Sequence, residues 1–252
     1  MPRITLPDGS HRDYDAPVDG IRIAGDIGER LLKASIGLKV DGEIRDLVHL
    51  IESDAQVSII TSGSKKEDPD QDALFLVRHS CAHVMAEAIE RVVPGAELVY
   101  GPPTDMGFYY DIRFPVDRTL SSEDFPAIEK QMKEIIAEDR PFQRYQFGRE
   151  EGMSKLQDEG SKYKIDNAER AIEAGSDELS WYVTGELGTD WEDLCRGPHL
   201  PSTGRIGAFK LLSVASSYWH GDASSDSLTR VYGTAFSFPA QLQRHLDQLE
   251  EA

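Results

Sequence analysis

The sequence predicts an α+β protein with a small first domain and a larger second domain. Short strand patterns separated by turn residues fill the first 62 residues, and a polar segment follows them. The remainder mixes amphipathic helix patterns with an alternating strand pattern. A length of 252 residues is typical of two domains or one large one, and a hydrophobic content of 39% is enough to build a proper core.

The first domain, residues 1–62, is predicted to have a β-grasp, ubiquitin-like fold. A strand near the start of the chain breaks at Pro7-Asp8-Gly9 to form a hairpin, and a second hairpin turns at Asp41-Gly42. Residues 26–34, between the hairpins, place isoleucine and leucine side chains on one side of a short helix. A hairpin, a helix and further strands, the last at Val57–Ile60, is the element order of a β-grasp fold.

Residues 63–72 are predicted to be a linker, because the segment is polar, charged and broken by Gly and Pro. The second domain, residues 73–236, begins with a helix that carries two histidines. Phe108–Phe114 alternates apolar and polar residues and therefore predicts a strand, and the apolar pattern after Ser121 predicts a helix capped at that serine. Further elements are predicted as strands at Ala208–Leu212 and Leu228–Tyr232 and as a helix within residues 237–252.

The helix that opens the second domain carries His79 and His83. Residues four apart lie on the same face of a helix, so the two imidazoles are neighbours. They lie roughly opposite an apolar stripe that is typical of a core-facing side, and we expect them to face a cleft or solvent. Cys81 belongs to the stripe and is expected to behave as a small buried hydrophobic residue. The stripe consists of Val77, Cys81, Val84, Ala88 and Val92.

A second pair of chemically active side chains, Cys195 and His199, follows about a hundred residues later. The pair flanks Gly197-Pro198, which cannot be helical at its centre, so both groups come from a turn. A single pair of histidines spaced by four is often just two surface residues. Chance seldom provides both this pair and the Cys195–His199 pair in a chain with 2 Cys and 7 His. The four groups can transfer protons, and they also form a tetrahedral zinc ligand set. Ligand chemistry alone favours zinc.

Composition argues against several functional classes. A net charge of −18 disfavours a broad nucleic-acid-coating surface, although it is compatible with local binding to the end of an RNA. No segment has the apolar length of a membrane span, and the first residues lack the apolar core of a signal peptide. Two cysteines do not make a disulfide framework, so we expect a cytoplasmic protein. A modestly basic stretch, explained at least as well by a solvated helix face, contains Lys130, Lys133, Arg140, Arg144 and Arg149.

Five motifs follow one another in a fixed order along the chain. They are Ile4–Gly9, Arg78–His83, Gly107–Asp111, Asp193–His199 and Arg230–Phe236. Together they resemble the N-terminal half of bacterial threonyl-tRNA synthetases, which comprises a TGS domain, an editing domain of the threonyl and alanyl type and the start of a linker helix. The resemblance covers essentially the whole chain. Related editing domains occur in alanyl-tRNA synthetases, but the TGS domain and the contexts of the third and fourth motifs favour the threonyl type.

The resemblance implies a hydrolase that removes serine from mischarged Ser-tRNA(Thr), with the acceptor end of that tRNA as its partner. It matches Lys164, in Tyr163-Lys164-Ile165, to an editing lysine, which would otherwise be taken for a surface residue. It matches Asp193 to an aspartate that can bind the seryl amino group, and Tyr110 to a tyrosine near the terminal adenosine. Gly101 is a further binding candidate, because a glycine lets the backbone approach a substrate closely.

Three functions remain open at this point. The first is a metal-free editing hydrolase with His79, His83, Lys164, Cys195 and His199 as its catalytic residues, since the family's editing site works without a metal. The second is a zinc-dependent hydrolase of the alanyl type, and the third is a non-catalytic tRNA-binding module. The resemblance assigns ATP, Mg and a catalytic zinc to a downstream catalytic domain, through which the whole enzyme is expected to form a homodimer.

Overall fold

The structure is a computed structural model that describes residues 1–251. Its first domain contains β1 (Arg3–Thr5), β2 (His11–Asp13), α1 (Gly20–Ile27), α2 (Glu29–Ala34), β3 (Ser35–Val40), β4 (Glu43–Arg45) and β5 (Ala55–Thr61). The strands form one sheet in the order β2-β1-β5-β3-β4, in which β1 pairs in parallel with β5 and both hairpins are antiparallel. This topology confirms the predicted β-grasp domain and its two hairpins.

The helical part of this domain differs from the prediction of one helix over residues 26–34. Two helices occupy the region, because α1 already starts at Gly20 and the chain is extended at Gly28 before α2 begins. Asp19 caps α1 by accepting a backbone hydrogen bond from its first turn. Gly20 is a poor helix former and hides this start in the sequence. A Cβ atom there would lie 2.5 Å from Cδ2 of Leu38, which explains why glycine occupies the position.

The second domain contains two antiparallel sheets and the helices around them. The elements are α3 (Gln71–Val92), β6 (Glu97–Tyr100), β7 (Phe108–Arg113), α4 (Phe125–Ala137), β8 (Phe142–Gly148), α5 (Arg149–Glu159), α6 (Lys162–Glu173), β9 (Glu178–Thr184), β10 (Trp191–Leu194), β11 (Ala208–Tyr218), β12 (Ser227–Phe236) and α7 (Pro239–Glu251). One sheet has the order β10-β9-β8, and the other has the order β11-β12-β7-β6. Together with the first domain they confirm the predicted α+β class.

Several second-domain predictions are confirmed and others need correction. The strand at β7 and the serine cap before α4 are present, with Ser121 capping a short 3-10 turn that runs into the helix. The two later strands were predicted too short, because β11 and β12 extend further and pair as a long hairpin. The sequence patterns do not predict the segment from β8 to β10. Its central strand β9 is buried on both faces after its first residue and therefore lacks the alternation of a half-buried strand.

The modestly basic stretch does not form a single surface. Its members are distributed over α4, β8, α5 and the loop between α4 and β8. In that loop, Arg140 pairs with Glu87 of α3 at 2.7 Å, and its side chain is only 16% exposed. A solvated helix face therefore does not describe this stretch.

Helix α3 is buried on both of its faces. Val77, Cys81, Val84 and Ala88 are fully buried, which confirms the apolar stripe, and Cys81 behaves as a buried hydrophobic residue. On the opposite side, His79 is 8% exposed and His83 is 2% exposed. The histidines therefore face a cleft and not solvent.

The hydrophobic core of the second domain extends into the first domain, which also has an apolar cluster of its own. Ile36 and Ile60 of the first domain are buried in the same apolar cluster as Leu76 of α3. The backbone of Gly37 also approaches this helix closely, because a Cβ atom there would lie 2.5 Å from Cδ1 of Leu76. Helix α3 begins at Gln71, so the last residues of the predicted linker are helical. Within residues 1–251, no helix has both the length and the apolar character of a membrane span.

Candidate active site

A cleft of about 1230 Å³ opens between the two sheets of the second domain. Residues of α3, α6, β7 and β10 line it, together with the loops that follow β6 and β10. His199 lies behind the cleft wall and is 1% exposed, and it contacts Cys195. The structure thus brings all the predicted site residues to one place. Those that line the cleft are His79, His83, Gly101, Tyr110, Lys164, Asp193 and Cys195.

Three imidazoles and one thiol form a compact cluster. The ring centroid of His199 lies 4.2 Å from that of His79 and 4.2 Å from that of His83. The Sγ atom of Cys195 lies 3.3 Å from Nε2 of His79 and 3.4 Å from Nε2 of His199. Nδ1 of His79 faces the carbonyl oxygen of Pro198 at 3.1 Å. Because a carbonyl only accepts hydrogen bonds, Nδ1 carries the proton and Nε2 presents its lone pair to the thiol.

The loop that carries this cluster is attached to both neighbouring elements. The backbone N–H of Cys195 donates to the carbonyl oxygen of Ser180 at 2.9 Å, and the Ser180 hydroxyl donates back to the Cys195 carbonyl oxygen at 2.7 Å. At the far end, Oγ of Ser80 accepts the N–H of Leu200 at 2.9 Å and lies 3.2 Å from Nδ1 of His199. Strand β9 and helix α3 therefore fix opposite ends of one loop.

Burial keeps the cluster uncharged near neutral pH. Burial, and then the neighbouring His83, lower the pKa of His79 from 6.5 to about 3. Burial lowers the pKa of His83 to about 4, although the charge of Asp193 opposes the shift. Burial and the other two histidines hold the pKa of His199 well below its ordinary value, and burial raises the pKa of the Cys195 thiol. The three imidazoles are therefore neutral at pH 7, and the thiol is protonated.

A buried ion pair lies beside the neutral cluster. Nζ of Lys164 on α6 is 3.1 Å from Oδ1 of Asp193 on β10, with side chains 17% and 5% exposed. The Tyr110 hydroxyl of β7 donates to the other carboxylate oxygen. Burial opposes both charges, but Asp193 raises the pKa of Lys164 above its ordinary value, and Lys164 with His83 lowers that of Asp193. The pair therefore stays ionised, and it positions one cation and one anion at the cleft wall.

Gly101 occupies its position for a reason different from the one the sequence suggests. A Cβ atom at this residue would lie 2.1 Å from Cδ2 of Tyr110. The missing side chain therefore lets the backbone after β6 pack against the tyrosine ring, and through the tyrosine it supports Asp193. Gly101 also lines the cleft, so the predicted close approach to a substrate stays a prediction.

Sequence reasoning missed several residues around the cluster. Nε1 of Trp191 donates to Oε2 of Glu90 at 2.6 Å, and the Trp191 ring stands edge-on to His83 with centroids 5.5 Å apart. Glu90 follows His83 on the same helix face, so its position in the sequence could have predicted that it lies near the cluster. Ser80 lies inside the histidine motif itself. Asp46 contacts the backbone of His199 from the first domain, and no local pattern indicates it.

The cluster also fits a zinc ion. The four candidate ligand atoms, from His79, His83, Cys195 and His199, lie within 4.8 Å of one another. Neighbouring ligand atoms of a tetrahedral zinc site with bonds of about 2.0–2.3 Å are roughly 3.3–3.8 Å apart. The sulfur–nitrogen distances of 3.3 and 3.4 Å agree with such a site as well as with hydrogen bonds. The hydrogen bond from Nδ1 of His79 to a carbonyl is also usual for a metal-bound imidazole.

Two parts of the chain match known domain families. Residues 2–61 match the TGS domain, and residues 182–232 match the threonyl and alanyl tRNA synthetase second additional domain. The chain thus combines a TGS domain with an editing-type domain of the class found in threonyl and alanyl tRNA synthetases.

The chain is also similar to curated proteins named threonine–tRNA ligase. The chain is 46% identical over 253 residues to a threonine–tRNA ligase of Granulibacter bethesdensis, an alignment that covers 100% of this chain and 37% of the relative. It is 43% identical over 254 residues to that of Marinobacter nauticus, with the same coverage, and 45% identical over 255 residues to that of Erythrobacter litoralis. These findings confirm the resemblance to bacterial threonyl-tRNA synthetases. The chain spans 37% of the length of these three relatives.

Proposed function

We propose that this chain is the editing part of a threonine–tRNA ligase and hydrolyses the ester of mischarged Ser-tRNA(Thr). The observation that carries the proposal is the Lys164–Asp193 ion pair in one cleft with the neutral imidazoles of His79 and His83 and the neutral thiol of Cys195. An aminoacyl ester is already activated, so its hydrolysis needs a positioned water, a proton acceptor and stabilisation of one developing negative charge. The cleft contains a side chain suited to each task.

The ammonium group of Lys164 is the group that stabilises the oxyanion. Water attacks the ester carbonyl carbon, negative charge develops on the carbonyl oxygen, and the ammonium group of Lys164, whose side chain is 17% exposed, stabilises that charge. A neutral imidazole of the cluster accepts the proton of the attacking water. The tetrahedral intermediate then collapses, the bond between the carbonyl carbon and the ribose oxygen breaks, and the imidazole returns its proton to that oxygen. The products are free serine and a tRNA with its terminal hydroxyl restored.

Asp193 binds the substrate's ammonium group. Its two oxygens contact Lys164 and Tyr110, and a carboxylate has about four lone-pair positions, so capacity for a third donor remains. Serine differs from threonine by one methyl group, which a threonine-binding pocket rejects by only about 1–3 kcal/mol. A second site that admits serine and excludes the methyl group provides the missing discrimination.

We further propose that the site works without a metal. A zinc-dependent hydrolase is the second candidate, because the four ligand atoms fit a tetrahedral ion. A zinc ion bound within the set His79, His83, Cys195 and His199 would supply Lewis-acid polarisation of the ester if one of the four side chains left a ligand position to the substrate. The threonyl-type motifs support the metal-free alternative. ATP use, Mg, the catalytic zinc and dimerisation are assigned in this proposal to the part of the relatives that these 252 residues do not cover.

The proposal is tested with purified protein and two substrates. We expect the chain to deacylate Ser-tRNA(Thr) and to spare Thr-tRNA(Thr). Equal rates on both substrates would exclude the selectivity, even if hydrolysis were observed. Binding of tRNA without deacylation of either substrate would favour the non-catalytic binding module, provided that His79→Ala leaves the affinity unchanged.

A further inference from the structure

One carboxylate of the first domain reaches the candidate active site of the second. Asp46 follows β4, and its Oδ1 atom accepts the backbone N–H of His199 at 2.8 Å. Its Oδ2 atom accepts the hydroxyl proton of Tyr182, on β9, at 2.5 Å. Asp46 does not line the cleft, so it lies too far back in the wall to contact a substrate.

Both partners of Asp46 belong to the packing of the catalytic loop. The ring centroid of Tyr182 lies 4.4 Å from that of His199. The Tyr182 hydroxyl also lies directly against the loop backbone, because a Cβ atom on Gly197 would be 2.0 Å from Oη. One carboxylate therefore holds the main chain of His199 and the aromatic ring that packs on it.

The ring of His199 contacts the other members of the cluster. It packs against the rings of both His79 and His83 and faces the thiol of Cys195. Strand β9 fixes the loop at Cys195, whereas the His199 end depends on Ser80 and Asp46. A loss of the Asp46 contacts would release the end of the loop that carries the central imidazole.

We propose that Asp46 is a positioning residue of the hydrolytic site and that the TGS domain thereby takes part in editing. This inference rests on the proposed function. It gives the first domain a specific task in the reaction, in addition to any contact with tRNA. The first domain supplies the acceptor for the backbone N–H of His199, while Ser80 of the second domain contacts the imidazole ring.

The test compares Asp46→Ala, Asp46→Asn and the control Arg205→Ala in the 252-residue chain. Arg205 donates to the backbone oxygens of Lys33 and Ser35 at 2.9 and 2.7 Å, so its loss removes contacts between the domains without touching the loop. Single-turnover deacylation of Ser-tRNA(Thr) is measured over a range of enzyme concentrations, with thermal melts alongside. Asp46→Ala should lower the saturating rate about 10- to 100-fold and leave the half-saturating enzyme concentration unchanged.

The conservative variant and the control separate positioning from general destabilisation. Asp46→Asn keeps one oxygen acceptor for the His199 N–H and should recover part of the rate. Arg205→Ala should lower the melting temperature and leave the rate per folded molecule unchanged. Equal rates for Asp46→Ala and wild type, or an equal loss in Arg205→Ala, would overturn the inference.

Hydrogen exchange gives a readout that does not depend on activity. Peptides covering residues 195–200 should exchange faster in Asp46→Ala than in wild type, and Arg205→Ala should leave them unchanged. If the wild-type chain does not deacylate, the proposed function fails while exchange still decides whether Asp46 holds the loop. Unchanged exchange in Asp46→Ala would refute the positioning role by itself.

Discussion

Replacement of Lys164 by alanine tests the assignment of the oxyanion-stabilising group. Lys164 is the cation paired with Asp193 at the cleft wall, with a side chain only 17% exposed. Loss of one preorganised oxyanion donor lowers kcat by about 10²–10³-fold, which corresponds to about 2.7–4 kcal/mol of transition-state stabilisation. We therefore expect Lys164→Ala to slow single-turnover deacylation by about 10²-fold or more.

The same substitution also has a cost in stability, which has to be separated from the rate effect. Asp193 would remain buried without its cation, and breaking a buried pair destabilises by about 3–5 kcal/mol. A loss of about 3 kcal/mol corresponds to a fall in Tm of roughly 6–12 °C for a chain of this size. Rates must therefore be measured well below the melting transition and expressed per folded molecule.

Lys155→Ala is the matched control. Lys155 pairs with Glu159 and Glu192 at 2.6 and 2.7 Å and is 25% exposed, but it does not line the cleft. It should lose stability and keep its rate. The double variant Lys164→Ala/Asp193→Asn removes the uncompensated charge and should regain stability without regaining activity. A folded Lys164→Ala protein within about threefold of the wild-type rate would refute the assignment.

Three further expectations concern the histidine helix and the metal. His79→Ala and His83→Ala should slow deacylation in a folded protein. Cys81→Ser should lower the free energy of unfolding by about 1–3 kcal/mol, read from thermal melts, because it buries an unpaired hydroxyl, and it should largely keep the deacylation rate. Normal rates in early-melting histidine variants would contradict this division. Elemental analysis of protein purified without chelator should find no stoichiometric zinc, and about one zinc per chain would establish the zinc-dependent alternative. The folded-state pKa values of His79 and His83, about 3 and about 4, lie below the unfolded value of 6.5, so the unfolded state binds more protons between these limits. The contribution of these two histidines to the free energy of unfolding should therefore be fully present above pH 6.5 and decrease as the pH falls towards 4. Melting temperatures that do not change with pH across this window would disprove the prediction.

The parts of the fold that sequence patterns predict are those in which local chemistry determines the structure. The turn at Asp41-Gly42 and the alternation in β7 are local signals, and both elements form as predicted. The start of α1 is missed because Gly20 is needed for close packing against a distant leucine. Strand β9 is missed because burial of both faces removes its period. Both errors come from tertiary contacts that a short window of sequence does not contain.

The candidate site divides in the same way. Spacing alone identifies the two pairs, His79 with His83 and Cys195 with His199. A spacing of four places the first pair on one face of a helix, and the Gly197-Pro198 turn brings the second pair together. Lys164 and its partner Asp193 were identified only through the resemblance, because nothing in the local sequence indicates that a lysine on a polar helix is buried. Asp46 was not identified at all, because its two partners are more than a hundred residues away in the chain.

The apolar cluster shared by the two domains has a consequence for cleavage of the segment that connects them. Residues 65–68 are exposed and connect two regions whose buried side chains already interlock through Ile36, Ile60 and Leu76. A protease that nicks this segment would produce two fragments on a denaturing gel and a single particle in native chromatography. At this junction the two parts of the protein would therefore stay associated without a continuous backbone.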